Sequence, residues 1–397
     1  MKTATFQFEL ITPCFCGGAE PERQAEIRAP SIRGQFRWWF RTLGGFASLA
    51  PMSVPDQESM IFGSIAGGEE RAGKLILRIK NGPKPSTTTR DDEQFQAQVG
   101  TDRGYLAFPL KSKRDRYTGE VLEYKGKAAY DSRDDGGNPM QLPTFGLYVL
   151  WRGPVLQWDD IKALVSVFAN FGSLGFRSRR ALGALRVTNP VCNQTDLSVS
   201  LRRFATPNAV AAFSFSISSA NEAINKLAQW LRGWRQHGRS SDHRPAPPPI
   251  PPPSSGFDYA LRDHDEGLAG LGRARPNPPA ARPSGRPPLG GNGESFRPAI
   301  GLPIIQFFSS LGGSRRQATL DWNATADGGR FASPILLRPH FDGTEWRALV
   351  IFLDTRQWNY AEQVHVVSGS RAGTRKVLPD LYNAMKVDAV ATMSPFP

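Results

Sequence analysis

The segment Arg28-Ala-Pro-Ser-Ile-Arg-Gly-Gln-Phe-Arg-Trp-Trp-Phe-Arg-Thr-Leu-Gly-Gly45 constrains this chain more than any other. Its arginines alternate with large aromatics. Pro30-Ser31 reads as a helix start with Ser31 as N-cap, and Gly44-Gly45 reads as the stop. At about 100° per residue, Phe36, Trp39, Phe40 and Leu43 share one apolar face. Arg33, Arg37 and Arg41 form a stripe beside it, with Arg28 just ahead of the helix. Gly34 lies on the arginine side, where a missing side chain lets a phosphate approach the backbone. A helix that buries aromatics and shows guanidinium forks suits a nucleic-acid backbone. The same pattern also describes an amphipathic helix with a solvated basic face.

Charge favours the first reading. Lys+Arg number 49 against 36 Asp+Glu, a formal net charge of +13. Most of the cations are arginine, the residue suited to phosphate and to stacking on bases. A polyanionic partner is the expectation. No apolar run approaches the ~18–20 residues of a membrane span, so no membrane association is expected. The N-terminal residues alternate like a strand and lack the apolar core of a signal peptide. Three cysteines, Cys14, Cys16 and Cys192, are too few for a disulfide framework and point to a reducing cytoplasm. Cys14-Phe-Cys16 has no second pair or His cluster to complete a metal site, so neither metal nor cofactor is expected.

Residues 1–195 read as β-α-β-β-α-β. The strands are Thr3 to Thr12, Lys74 to Lys80, Phe145 to Trp151 and Leu182 to Val187. The helices span 31–43 and Trp158 to Phe171. This order is the ferredoxin-like, RRM-like split βαβ. Some sixty residues between the second and third strands, rich in Lys, Arg, Asp and Gly, read as an inserted, partly mobile loop. A weaker copy follows over 196–243 and 291–397. It has strands at Val210–Ile217, Phe331–Phe341 and Trp346–Leu353, and helices at Asn221–Gln236 and Val377–Met385. The fold class is therefore α+β, with tandem ferredoxin-like domains and long insertions. Residues 244–290, rich in proline, read as a flexible insertion that cannot bury a core.

A second basic constellation is Phe171-Gly-Ser-Leu-Gly-Phe-Arg-Ser-Arg-Arg-Ala-Leu-Gly-Ala-Leu185. Gly172, Gly175 and Gly183 allow positive φ and expose N–H groups. Arg177, Arg179 and Arg180 lie between them. Together they suggest a phosphate cradle. The run does not match the P-loop G-x-x-x-x-G-K-[ST], so nucleotide hydrolysis is not expected.

These motifs carry a resemblance. Ile11-Thr-Pro-Cys-Phe-Cys-Gly-Gly18, then Arg28 to Arg41, then Ile61-Phe-Gly-Ser64, then the loop at 172–183, resemble the RAMP superfamily of CRISPR proteins. More narrowly they resemble the family of first Cmr subunits of type III-B effector complexes. Arg330-Phe-Ala-Ser-Pro-Ile-Leu-Leu337 resembles that family's second half. The proline-rich insertion and the sparse second repeat depart from the pattern. The resemblance implies a tandem RAMP protein that binds guide RNA and target RNA beside other Cmr subunits, near the guide 3′ end. It also implies a binding subunit, because target cleavage and polymerase-like chemistry belong to other subunits.

The residue inventory points the same way. Metal-free RNA cleavage usually needs a histidine. The five are His237, His243, His264, His340 and His365, none within residues 1–195. Asp131, Asp134 and Asp135 form the best alternative cluster, for an endoribonuclease cutting target or guide precursor. A third reading is an RRM-like binder outside CRISPR, which needs aromatics on an exposed sheet face.

Overall fold

The computed structural model describes residues 1–65, 71–91, 104–107, 110–115, 118–132, 141–190, 194–235, 259, 263, 293–301, 304–307, 319–323, 329, 332–353, 363–368 and 371–397. They fall into two compact units. The first comprises 1–228, 336–353 and 394–397, and the second 229–335 and 354–393.

In the first unit, strand β1 (Lys2–Leu10) buries Phe6, Phe8 and Leu10 on one face, as a period of two requires. Helix α1 runs from Ala29 to Thr42. It starts before the expected cap: the Arg28 carbonyl accepts from the N–H groups of Ser31 and Ile32, so Ser31 is already helical. Pro30 explains the shift, since its fixed φ and missing N–H suit a first turn. The stop is where the glycines place it. Gly44 and Gly45 have φ of 75° and 76°. Their N–H groups donate to Arg41 and Phe40 at 3.0 and 2.9 Å, a Schellman pairing.

Helix α2 (Val54–Phe62) follows, with Ser53 accepting at its N-cap from the Asp56 N–H. Sequence periodicity does not predict it, because nine residues with an early proline give too little pattern. Strands β2 (Leu75–Lys80) and β3 (Thr144–Trp151), helix α3 (Trp158–Phe171) and strand β4 (Leu185–Asn189) complete the expected set. The sheet order is β4-β1-β3-β2, antiparallel throughout. Both helices cover one face. Phe8 stacks on Phe145 at 5.4 Å and meets Phe168 of α3 at 5.7 Å. Phe168 in turn takes Phe36 of α1 edge-on at 5.2 Å.

The loop between β2 and β3 is more structured than expected. Residues 89–90 pair with 127–128, and 113–114 with 121–123. Arg90 and Asp131 make a buried ion pair at 2.8 Å.

The later elements are β5 (Val210–Ile217), α4 (Ala220–Arg235), β6 (Glu294–Ser295), β7 (Ile304–Phe307), β8 (Thr319–Asn323), β9 (Ile335–Phe341), β10 (Trp346–Leu353), β11 (Gln363–Ser368), β12 (Arg371–Val377), α5 (Asp380–Thr392) and β13 (Ser394–Phe396). A second four-stranded sheet has the order β9-β10-β5-β13. Its β10 is buried continuously from Ala348 to Leu353, as its unbroken apolar run predicts.

The second unit holds a five-stranded sheet, β6-β12-β11-β8-β7, that the sequence does not announce. Of the proline-rich stretch 244–290, only Tyr259 and Asp263 are described, and both are buried. Tyr259 packs edge-on to Phe296 at 5.0 Å. Asp263 accepts from Ser295 Oγ at 2.9 Å, Phe296 N at 2.9 Å, Arg297 N at 2.8 Å and Arg297 Nε at 2.9 Å. These two residues are anchors that average composition conceals; the rest of the stretch lies outside the described residues.

Candidate nucleic-acid interface

The arginine stripe of α1 exists, but its members have protein partners. Arg33 Nη2 donates to the Leu75 carbonyl at 2.6 Å, tying α1 to β2. Arg37 Nε lies 2.5 Å from Glu58 Oε1, and Arg41 Nε lies 2.6 Å from Glu58 Oε2. The Glu58 side chain is 10% exposed, against 37% for Arg37 and 52% for Arg41. One carboxylate on α2 therefore carries two guanidiniums. The triad keeps one net positive charge, and each fork retains donors for a second acceptor. The expected free forks become one inward tie and one preorganised pair. Sequence reading missed Glu58 because it missed α2.

Gly34 lies on the arginine side of α1, as periodicity places it. It is exposed, and a Cβ built there meets nothing within 4 Å. Helical periodicity places it between the Arg37/Arg41 stripe and Ser31. Bare backbone thus lies beside two ordered cations.

The glycine loop divides into packing and surface. Gly172 is buried at the end of α3, where a Cβ would run into the Phe168 ring and carbonyl. It serves packing rather than a cradle, because the helix end turns inward. Gly175 is exposed at φ 82°, and its Cβ would come 2.6 Å from the Phe15 carbonyl. Arg177 adopts φ 62° and donates from Nε to the Leu106 carbonyl at 2.6 Å. Arg179 lies over the Trp38 ring at 4.7 Å, joining the loop to α1. Burial lowers its pKa from the usual guanidinium range. Arg180 is 7% exposed, and its N–H donates to Arg177 O. Of the three loop arginines, Arg180 is buried, and Arg177 and Arg179 are half-buried with protein contacts.

What converges on solvent is a different subset. Arg28 and Ser31, at the start of α1, line a cleft of about 440 Å³ with Gly17, Gly175, Phe176 and Lys127. Arg28 Nη2 donates to the Gly17 carbonyl at 3.3 Å, and Lys127 Nζ lies 5.8 Å from the Phe176 ring centroid. The cleft joins two cations, an aromatic edge, a hydroxyl and glycine backbone at a helix N-terminus, where partial positive charge favours anions. Among the described residues, Glu26 is the one acid that lines it. Lys127 and Phe176 were not singled out from sequence. Lys127 sits in the long loop, whose path no local pattern reveals.

A further arginine supports the loop from below. Arg338 is 1% exposed and donates to the carbonyls of Gly172 at 2.8 Å and Ala169 at 2.6 Å, and also to that of Leu185. Burial pulls its guanidinium down to about 9. His340 Nδ1 lies 3.3 Å from Arg338 Nη1, so folding does bring one histidine near the glycine loop. That histidine is 4% exposed, and burial holds its imidazole at about 3, with the Arg338 charge adding to the effect. It is neutral and sealed at neutral pH.

Of the acidic cluster, Asp131 is consumed by Arg90, while Asp134 and Asp135 lie outside the described residues. Among the described residues, no group of three His, Cys, Asp or Glu side chains is placed to hold a metal ion. Cys14 and Cys16 are buried and unpaired as a disulfide, and Cys192 lies outside the described residues. No described helix is long and apolar enough to cross a membrane.

Part of this region matches known proteins. Residues 7–186 match the RAMP superfamily model. That segment contains all four N-terminal motifs quoted above, whereas the resemblance at 330–337 lies outside it. The particular relatives are Cmr subunits. The CRISPR system Cmr subunit Cmr1-2 of Pyrococcus furiosus is 27% identical over 191 residues, covering 47% of this chain and 96% of that protein. Subunit Cmr1-1 of the same organism is 27% identical over 188 residues, or 46% of either chain, so the match spans about half of that relative. Among solved structures, apo Cmr1 from Pyrococcus furiosus aligns over 89% of this chain and 88% of that one, at TM-score 0.46 and 16% identity. The type III-B Cmr-beta structure bound to cognate target RNA aligns over 98% of both chains, at TM-score 0.42 and 10% identity.

Proposed function

We propose that this chain is a noncatalytic RNA-binding subunit of a type III-B Cmr effector complex, gripping guide RNA and the guide–target duplex beside other Cmr subunits. The observation that carries the reading is the cleft that brings Arg28 and Ser31 of α1 against Gly175, Phe176 and Lys127. By helical periodicity Gly34 and the Arg37–Glu58–Arg41 triad follow Ser31 on the same side of α1. Such a track positions phosphates and leaves sequence to base pairing. Both sheets support the tandem ferredoxin-like architecture. In each, the first and third strands of a β-α-β-β-α-β order are central, and the second and fourth are edges. The boundaries 1–195 for the first domain, 196–243 with 291–397 for the second, and 244–290 for the insertion belong to this proposal.

The absence of catalysis is proposed on the residues at hand. A general base near neutral pKa is wanted, and His340 is neutral but buried. The test is RNA-binding anisotropy across a salt series with Arg28→Ala/Lys127→Ala, beside a labelled-RNA time course in Mg²⁺, Mn²⁺ or EDTA. The double variant is expected to flatten the log–log salt slope by between one and two, with RNA left intact throughout. An unchanged slope counts against the cleft. Metal-dependent cleavage lost in Asp134→Ala or Asp135→Ala favours the endoribonuclease reading.

A further inference from the structure

On the first sheet, strand parity separates two faces. Leu77, Leu147 and Val149 are buried toward α1 and α3. Tyr148, Arg78 and Lys80 lie on the other face, and both cations are exposed. Register places Arg78 directly opposite Tyr148, and Thr5 opposite it on the other side. Lys80 Nζ sits 4.3 Å from the Tyr148 ring centroid. Next along this face comes Gly146, flanked by the Gln7 amide, whose Nε2 would lie 3.4 Å from a Cβ there. The acid on this face, Glu9, is tied to Arg186 at 2.8 Å. Among the described residues, Arg78 and Lys80 have no carboxylate partner.

A half-buried aromatic at the centre of a sheet, beside two uncompensated cations and a carboxamide, fits one kind of ligand. We propose that this face binds an unpaired stretch of RNA. Tyr148 stacks on one base, Arg78 and Lys80 meet the flanking phosphates, and Gln7 lies within reach of the base edge. The ammonium now over the ring marks where the base goes; on binding, Lys80 swings from the ring to a phosphate. This site is separate from the α1 cleft, and the proposal rests on the RNA-binding reading above. It differs in substrate: stacking selects single strands, whereas a phosphate track accepts a duplex.

The test uses the full chain with a fluorescein-labelled 15-nucleotide oligouridylate and, separately, a duplex of the same length. Tyr148→Leu should weaken oligouridylate binding about tenfold with the salt slope unchanged, while Tyr148→Phe keeps wild-type affinity. Duplex binding should be unaffected by either. Arg78→Glu alters an exposed side chain, so it decides the question if Tyr148→Leu lowers stability. It should weaken oligouridylate binding and flatten the slope. Wild-type oligouridylate binding by both Tyr148→Leu and Arg78→Glu, with binding lost in Arg28→Ala/Lys127→Ala, would overturn this proposal and leave the cleft standing. Equal loss for duplex and single strand on Tyr148→Leu would overturn stacking. A wild-type chain that binds neither RNA would remove both proposals together.

Discussion

Arg338 Nε donates to the carbonyl of Gly172 across 2.8 Å, linking positions 166 residues apart. With Ala169 O at 2.6 Å, it satisfies carbonyls at the end of α3, where helix carbonyls have no partner of their own. The turn into the glycine loop is therefore held by a residue of β9. Arg338→Met should destabilise the protein by roughly 2–4 kcal/mol, because buried carbonyls lose charged donors. Arg338→Lys should recover little, since an ammonium lacks the planar fork. Chemical denaturation checks this; an unchanged midpoint in Arg338→Met contradicts the capping role.

The Arg37–Glu58–Arg41 triad makes a non-additive prediction. Arg37→Ala with Arg41→Ala leaves a carboxylate of 10% exposure unpaired. Both arginines are partly solvated, so a loss of about 1–3 kcal/mol is expected rather than the full cost of a buried orphan. Adding Glu58→Gln should return much of it. A triple variant no more stable than the double removes the coupling.

The proline-rich stretch yields a prediction opposite to its composition. Deleting 244–290 removes Asp263 and leaves Arg297 and two backbone N–H groups without their acceptor. The melting temperature should fall, and Asp263→Ala alone should reproduce most of the fall. If the deletion melts like wild type, these anchors contribute nothing.

His340 predicts acid sensitivity. Its imidazole is held at about 3 by burial and by Arg338, while Asp342 opposes and Arg347 adds to the depression. The unfolded chain titrates near 6.5, so it binds the extra proton first as pH falls. Stability from the neutral ring is present above about pH 6.5 and is lost below it, by at most about 1.4 kcal/mol per pH unit. His340→Phe should flatten the stability profile between pH 6.5 and pH 4. An identical slope in wild type and variant contradicts the assignment.

Strong periodicity made much of the fold legible. Trp158–Phe171 and Val210–Ile217 fall where apolar spacing puts them, and both first-copy helices pack on the face that Phe6, Phe8 and Leu10 define. The five-stranded sheet was not legible, because its strands are short and of mixed polarity. At the candidate site, the sequence exposed which residues carry charge but not where each charge goes. Arg33, Arg177 and Arg180 look like their neighbours in the sequence, yet they serve backbone or packing. Glu58 and Arg338 carry no local signal, because their partners are distant in the chain.

Gly34 tests the central claim most directly. A Cβ there meets nothing within 4 Å, and replacing a mid-helix glycine should stabilise α1 by up to about 1 kcal/mol. Gly34→Leu should therefore melt at or above the wild-type temperature. If RNA phosphate approaches the backbone beside Arg37 and Arg41, the same variant should bind RNA about tenfold more weakly at fixed salt. The measurement is an anisotropy titration of wild type and Gly34→Leu with one labelled RNA, paired with thermal melts. Raised stability with weakened binding is the predicted result; raised stability with wild-type affinity would contradict the claim that this face of α1 meets RNA.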